Sequence, residues 1–457
     1  MPPREPSGPD DGGRNGPETR PRRVRATVAA MTLVVRDAMV LWDAEGERIG
    51  DLTLDDGATE VTEIDATGCV VTPGLINAHH HLLQSGFRTL PGTRGVPMAQ
   101  WLPTMAAAYS AAGIDPELVA ATAAVGVAEG LLCGVTTVAD HHLNWPHDAS
   151  VAATVDIARA IADAARDLGS RLVYVRGSAR DDAAWAGASA DAIASALVPH
   201  GGVTADGMLQ VAVGPAGVHS DGEATFAALG EVAAAHGLRR RTQANEQVDV
   251  AIALERYGRR PIDLLEEWGW LAPDVTIAHL VDLTAEEVAR LAAAGVTGTH
   301  APGCDVPMGW GVARVAELAA AGITMGLGTS GGGSNDAGHL LADARLALQV
   351  SGLVGPQLPA RDVLAMATRS GALGLGRPDL GLLGSGDLAV WDVAGVADAG
   401  VADPVAGLLW AAPGRRPRHV VVGGRVVVRD GVLTTAEESE LVARLRELLA
   451  ARAGLVS

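Results

Sequence analysis

Apolar residues along this chain alternate between two patterns. Short runs rich in Val, Ile and Leu are followed by longer alanine-rich stretches whose apolar positions recur at helical spacing. The order repeats roughly every thirty to forty residues, which suits a βα unit. Eight runs read as strands: Val70–Asn77, Val135–Asp140, Arg171–Gly177, Met208–Val213, Leu238–Ala244, Val275–His279, Val296–His300 and Ile323–Gly328. Helical patterns between them cover 116–132, 151–168, 224–236, 285–293 and 312–321. A closed parallel barrel gathers the carboxyl ends of its strands on one face. The polar residues ending these runs, Asp140 with His141 and His142, Arg176, Gln243, His279 and His300, therefore describe one site.

The flanks follow a different rhythm. LVVRDAMVLW from Leu33, GDLAVWDV from Gly386 and RHVVVGGRVVVRDG from Arg418 are short β-rich segments with turn signals, and they bracket the barrel. The expected organisation is a disordered tail over 1–30, a small β-sandwich from 31–69 plus 380–435, a (β/α)8 TIM barrel over 70–379 and a C-terminal helix over 436–457. The first residues lack apolar periodicity, so the chain could start at Met1 or at Met31.

Composition narrows the partners. No stretch approaches the roughly 18 uninterrupted apolar residues of a membrane span, and a formal charge of −19 argues against a nucleic-acid backbone. Cys69, Cys133 and Cys304 have no paired spacing, which fits a reducing cytoplasm rather than a disulfide framework or a thiolate cage. The sequence contains no lysine. That excludes Schiff-base chemistry, a phosphate-loop lysine and a carboxylated lysine bridging two metals, so any metal site is expected to be mononuclear.

The most specific chemical signal is VTPGLINAHHH, from Val71 to His81. Side chains on a strand repeat with a period of two, so His79 and His81 point the same way, as one half of a metal site. Together with the DHH at Asp140–His142, the RGS at Arg176–Ser178, the AH at Ala278–His279 and GLGTSGGGSND from Gly326, the motif order resembles the amidohydrolase superfamily. The similar branch is that of the heterocycle aminohydrolases: 8-oxoguanine and guanine deaminases and triazine hydrolases. HHHLLQ at His79–Gln84 and SND at Ser334–Asp336 favour the 8-oxoguanine side.

What the resemblance implies can be carried over by position. His79 and His81 match two metal ligands, Glu246 the proton-shuttling glutamate, and His279 the histidine that orients the attacking water. Two ligand positions depart from the pattern. RTQANE puts Gln243 where the family has a histidine, and GLGTSGGG puts Ser330 where it has an aspartate. Amide and hydroxyl oxygens are poor ligands for zinc or iron, so one Zn or Fe ion is expected to be weakly bound or absent. HAPGCD at His300–Asp305 also departs from the usual HCPSSN, and Gly332 and Gly333 are expected to widen the following loop.

The expected activity is hydrolysis of a C–N bond, a deamination, on a purine, pterin or triazine. His79, His81 and His279 would hold the metal, with Glu246 and His279 catalytic. Two alternatives stand beside it: metal-free, non-hydrolytic proton transfer on a biosynthetic intermediate, and a ligand-binding pseudoenzyme. Gln84, Arg176, His141, His142 and Asp305 are candidate substrate contacts. For Arg176 a structural ion pair is an equal reading, and for the paired histidines a packing role. Asp336 compensates for the missing aspartate only if its loop turns inward. Trp101 and Trp145 are candidates to stack on a flat ring. The family also implies a homo-oligomer.

Overall fold

A computed structural model of the chain describes residues 1, 32–55 and 61–453. The expected tail and the Met31 start lie outside the described residues, apart from Met1. Among the described residues seventeen strands follow in chain order: β1 Thr32–Asp43, β2 Gly46–Leu54, β3 Val61–Asp65, β4 Cys69–Pro73, β5 Leu75–His81, β6 Val135–His142, β7 Arg171–Ser178, β8 Leu209–Pro215, β9 Arg239–Ala244, β10 Val275–His279, β11 Thr297–His300, β12 Met325–Leu327, β13 Ser330–Gly331, β14 Leu388–Asp392, β15 His419–Val422, β16 Arg425–Arg429 and β17 Val432–Leu433.

Strands β5 to β12 pair in parallel in chain order, each with the next. The eighth barrel strand comes in two pieces. Its first piece, β12, pairs with β11, and its second, β13, pairs with β5 through Ser330↔His80 and Gly331↔His81. The path thus returns to its first strand, as the (β/α)8 expectation requires. Gly328, between the two pieces, has a packing reason: a Cβ there would lie 2.8 Å from the His79 carbonyl oxygen.

The helices form where the sequence places both a stripe and its ends. In Val151–Leu168 the buried positions Thr154, Ile157, Ala158, Ile161, Ala165 and Leu168 make one face. Ser150 caps the start by accepting from the Ala153 amide, and Gly169 ends the helix with φ +79°.

The expected strand Val70–Asn77 proves to be two. Pro73-Gly74 breaks it, so that β4 joins the terminal sheet and β5 opens the barrel. The terminal segments build one eight-stranded sheet, ordered β17-β16-β15-β14-β4-β1-β2 with β3 beside β1. Arg171 at the foot of β7 clamps it to the barrel through a buried two-pronged pair with Asp387 (2.8 and 2.9 Å). The C-terminal helix Glu438–Ala453 buries Leu445, Leu448 and Leu449. Its Arg452 also pairs with Asp115 at 2.8 Å, at the start of helix Pro116–Leu132. Among the described residues no single helix is long and apolar enough to cross a membrane; Met98–Ala112 with Pro116–Leu132 passes that test only as a pair bent by 119°.

Candidate active site

The carboxyl ends of the barrel strands bring the predicted polar residues together, and nearly all are buried. His79 stands at the centre, with ring centroids 4.9 Å from His81, 5.4 Å from His279 and 6.0 Å from His141. The intervening His80 has a separate partner, Thr329 Oγ1 at 2.9 Å, as the period of two requires. His81 Nδ1 contacts the His141 carbonyl oxygen at 2.7 Å, which assigns the proton to Nδ1 and leaves Nε2 with a lone pair. His79 Nε2 is buried without a hydrogen-bond partner. Burial, reinforced by the neighbouring rings and Arg241, drives the His79 pKa well down and keeps the ring neutral.

On the opposite wall His279 sits between acceptors. Its Nδ1 lies 2.6 Å from Asp305 Oδ1, its Nε2 3.1 Å from Gln243 Oε1 and 3.7 Å from Glu246 Oε1. Burial opposes charging this ring, but the Asp305 charge and hydrogen bond, helped by Glu246 and Asp249, outweigh it and lift the pKa to about 9. Glu246 is buried, and desolvation raises its pKa well above the ordinary carboxylate range. Its Oε2 has no partner. The backbone here is left-handed at Asn245, Gln247, His279, Leu280 and Ser330, with φ between 54° and 77°. Such conformations persist only where the surroundings over-determine them, and they recur at functional sites.

Several expected roles change once the contacts are seen. Asp305, expected among the substrate contacts, holds His279 instead. Gln84 is tied down as well, because its Oε1 accepts from the Gly333 amide at 2.9 Å. Gly331 to Gly333 do not widen the loop but let it close on Gln84: a Cβ at Gly331 would lie 2.1 Å from Gln84 Oε1, and one at Gly332 2.5 Å from the Gln84 carbonyl oxygen. Asp336 turns outward, accepting from the Thr89 amide at 2.7 Å and pairing with Arg94. Trp101 donates to the Gly333 carbonyl at 3.0 Å, which fixes it to the same loop.

Arg176 is taken up by an ion pair with Asp181 (2.9 Å) and lies between the Trp145 and Trp185 rings. His142 packs edge-on to Trp145 (4.7 Å), whereas His141 holds the Gly214 carbonyl at 2.9 Å and stacks beside His81. An open cavity of about 950 Å³ borders this aromatic cluster, lined by Tyr109, Leu143, Trp145, Arg180, Asp181 and Trp185 among others.

Asp140, expected among the strand-end residues of the site, accepts through Oδ1 from the Leu82 amide at 2.8 Å, steadying the turn after His81, and burial raises its pKa to about 7. One group was not anticipated. Arg241 is buried two residues before Gln243. The spacing inside RTQANE was its only signal.

The donor set can be tested against a divalent metal. His79 and His81 suit one. The expected three-nitrogen set, however, loses His279, both of whose ring nitrogens are engaged by Asp305 and Gln243. Gln243 and Ser330 offer neutral oxygens, and Arg241 adds a fixed positive charge. Asp305 with His279 and Cys304 brings three ligand atoms within 4.8 Å of one another. Yet the 2.6 Å hydrogen bond already occupies His279 Nδ1 and Asp305 Oδ1, and burial pushes the Cys304 thiol far up, away from the thiolate a metal needs. These residues do not fit a tightly held zinc or iron.

Comparison with known proteins places the chain as a whole. Residues 70–427 match the Amidohydrolase family. The chain is 32% identical to the 8-oxoguanine deaminase of Pseudomonas aeruginosa over 447 residues, covering 90% of this chain and 97% of that one. It is 31% identical to a 5-methylthioadenosine/S-adenosylhomocysteine deaminase of Natronomonas pharaonis, covering 89% and 91%. Among solved structures, atrazine chlorohydrolase from Arthrobacter aurescens, complexed with zinc, superposes with a TM-score of 0.83 at 33% identity, covering 91% of this chain and all of that one.

Proposed function

The chain belongs to the amidohydrolase family, in its heterocycle aminohydrolase branch, and on that premise we propose that it hydrolyses an exocyclic C–N bond of an aminated nitrogen heterocycle at a site altered in its metal ligands. The observation that carries the reading is the buried pair of Glu246 and His279, 3.7 Å apart at the ends of adjacent strands. It is supported by relatives whose names assign them deamination of purine compounds.

The chemistry follows from the protonation states. Glu246, its pKa raised by burial, is a carboxylic acid near neutrality and protonates the ring nitrogen beside the amine-bearing carbon. The resulting carboxylate takes a proton from water as its oxygen bonds to that carbon. Glu246 then passes that proton to the amine; as ammonia leaves, the new hydroxyl returns its proton to the Glu246 carboxylate, restoring the acid, and the ring keeps its N–H as a lactam. His279, held cationic by Asp305, rests with its Nε2–H on Gln243 Oε1 and turns it to the entering oxygen, stabilising charge developing there. Of the two water protons, one leaves in ammonia and the other replaces the proton that Glu246 left on the ring.

Ammonia release from aminated purines, pterins and triazines, compared with a Glu246→Gln variant, tests the reading. Release by the wild type that collapses in the variant supports it, and silence across all three classes overturns it.

A further inference from the structure

The interior of the barrel carries a positive charge without a counter-ion. Arg241 and Gln243 are both inward on β9, by the period of two. From β9 the Arg241 side chain crosses the barrel to β5, four strands away in the sheet order, where Nη2 donates to the carbonyl of Ala78, the residue before His79. Nη1 is buried without a partner, and among the described residues no carboxylate forms an ion pair with Arg241. His79 Nε2 is also buried and unpartnered, in a ring that feels the Arg241 charge.

A buried guanidinium with an unmet N–H is costly, and an arriving anion removes that cost. A dication at the same place adds repulsion instead. Three departures act in one direction. Arg241 adds positive charge beside His79, Ser330 removes the family's negative charge, and Gln243 replaces a ligand nitrogen by a neutral amide. We propose that the position beside His79 receives an anionic group of the substrate, a carboxylate or ring oxyanion hydrogen-bonded to Arg241 Nη1, and does not hold the divalent metal found in the zinc-bound relatives. That the anion is borne by a nitrogen heterocycle rests on the reading above; the anion and metal assignments do not.

Nicotinate and nicotinamide share a ring and differ in charge, so titration calorimetry of the full chain with each isolates the anion. We expect nicotinate to bind at least about tenfold more tightly. The preference should disappear in Arg241→Met and persist in part in Arg241→Lys, with thermal denaturation showing that the variants fold; should Arg241→Met not fold, Arg241→Gln replaces it. After zinc loading and desalting, elemental analysis should find below about 0.1 zinc per chain, rising toward about one in the triple variant R241H/Q243H/S330D. Equal binding of the two probes, binding of neither, or a preference surviving the neutral substitution overturns the anion site. About one zinc retained per wild-type chain overturns the exclusion of metal. Ammonia release is scored separately. Its absence beside a firm nicotinate preference removes the deaminase reading and leaves this inference standing.

Discussion

Two buried arginines, one at the end of β7 and one on β9, live under opposite conditions. Arg176 donates to Ser189 at 3.1 Å, to the Gly177 carbonyl at 3.1 Å and to Asp181 at 2.9 Å, and the rings of Trp145 and Trp185 cover its guanidinium at 5.0 Å on each side. Only its Nη2 lacks a hydrogen bond. Arg241 has the Ala78 carbonyl and no carboxylate. His79 Nε2 and Glu246 Oε2, also at the carboxyl ends of the barrel strands, are unmet as well. Arg176 spends most of its donors on its own neighbours and should carry stability, although Tyr174 Oη on the same strand is also unmet. The β9–β10 region holds polar atoms in reserve, as a site for a ligand must.

The sharpest way to break that contrast is to neutralise Glu246. Glu246→Gln should lower kcat by about 10³-fold, within the usual range for a lost acid–base group. Its melting temperature should be unchanged or raised, since the acid is desolvated in the fold. A large loss of stability would place Glu246 with the structural residues. Arg176→Ala should do the reverse. Removing it leaves Asp181 facing a hole between two indoles, and a broken buried pair costs about 3–5 kcal/mol. Denaturant unfolding measures this loss, and a change under about 1 kcal/mol would contradict it.

How each region could be read from sequence differs for the same reason. The barrel was legible because its βα rhythm is a property of the chain, His79, His81 and His279 because strand ends locate them, and Glu246 because the family resemblance singles it out. The fates of Asp305, Gln84 and Asp336 were not, because each depends on a partner far along the chain: Asp305 on His279, Gln84 on a glycine loop near residue 332, Asp336 on Thr89. Local pattern places a side chain at a face but does not say what has already claimed its hydrogen bonds. Arg241 escaped notice because an arginine in an alternating strand reads as an outward residue, and only barrel closure brings it across to Ala78. The strand expected over 70–77 erred more simply. Pro73-Gly74 turns the chain from one sheet into another while the apolar run continues.

The His279–Asp305 contact offers a third, smaller test. His279 has its pKa raised to about 9, so its charge is present through neutrality and is lost as pH climbs through 9. The stability it contributes follows the same course, full below the ordinary histidine value and lost through 9. Asp305→Asn removes the carboxylate that raises this pKa, and the alkaline limb of kcat/KM should move down by about one to two pH units. An unchanged limb would show that His279 is not the group titrating there.

The smallest expected effect falls on Arg241 itself. If it were structural in the manner of Arg176, Arg241→Met would cost several kcal/mol, the penalty for breaking a buried network. But no carboxylate is left stranded when Arg241 is replaced; only the Ala78 carbonyl loses a donor, while a desolvated cation leaves the barrel interior. Replacing a buried charge by an apolar side chain of similar length is often neutral or stabilising. The variant's unfolding free energy should therefore be unchanged or raised by about 1 kcal/mol in the absence of ligand, opposite in sign to Arg176→Ala. Added nicotinate should then stabilise the wild type and not the variant, since a ligand raises stability only where it binds the folded state. A loss near that of Arg176→Ala would instead make the two arginines alike, and the unmet Nη1 a cost of packing rather than a place kept for an anion.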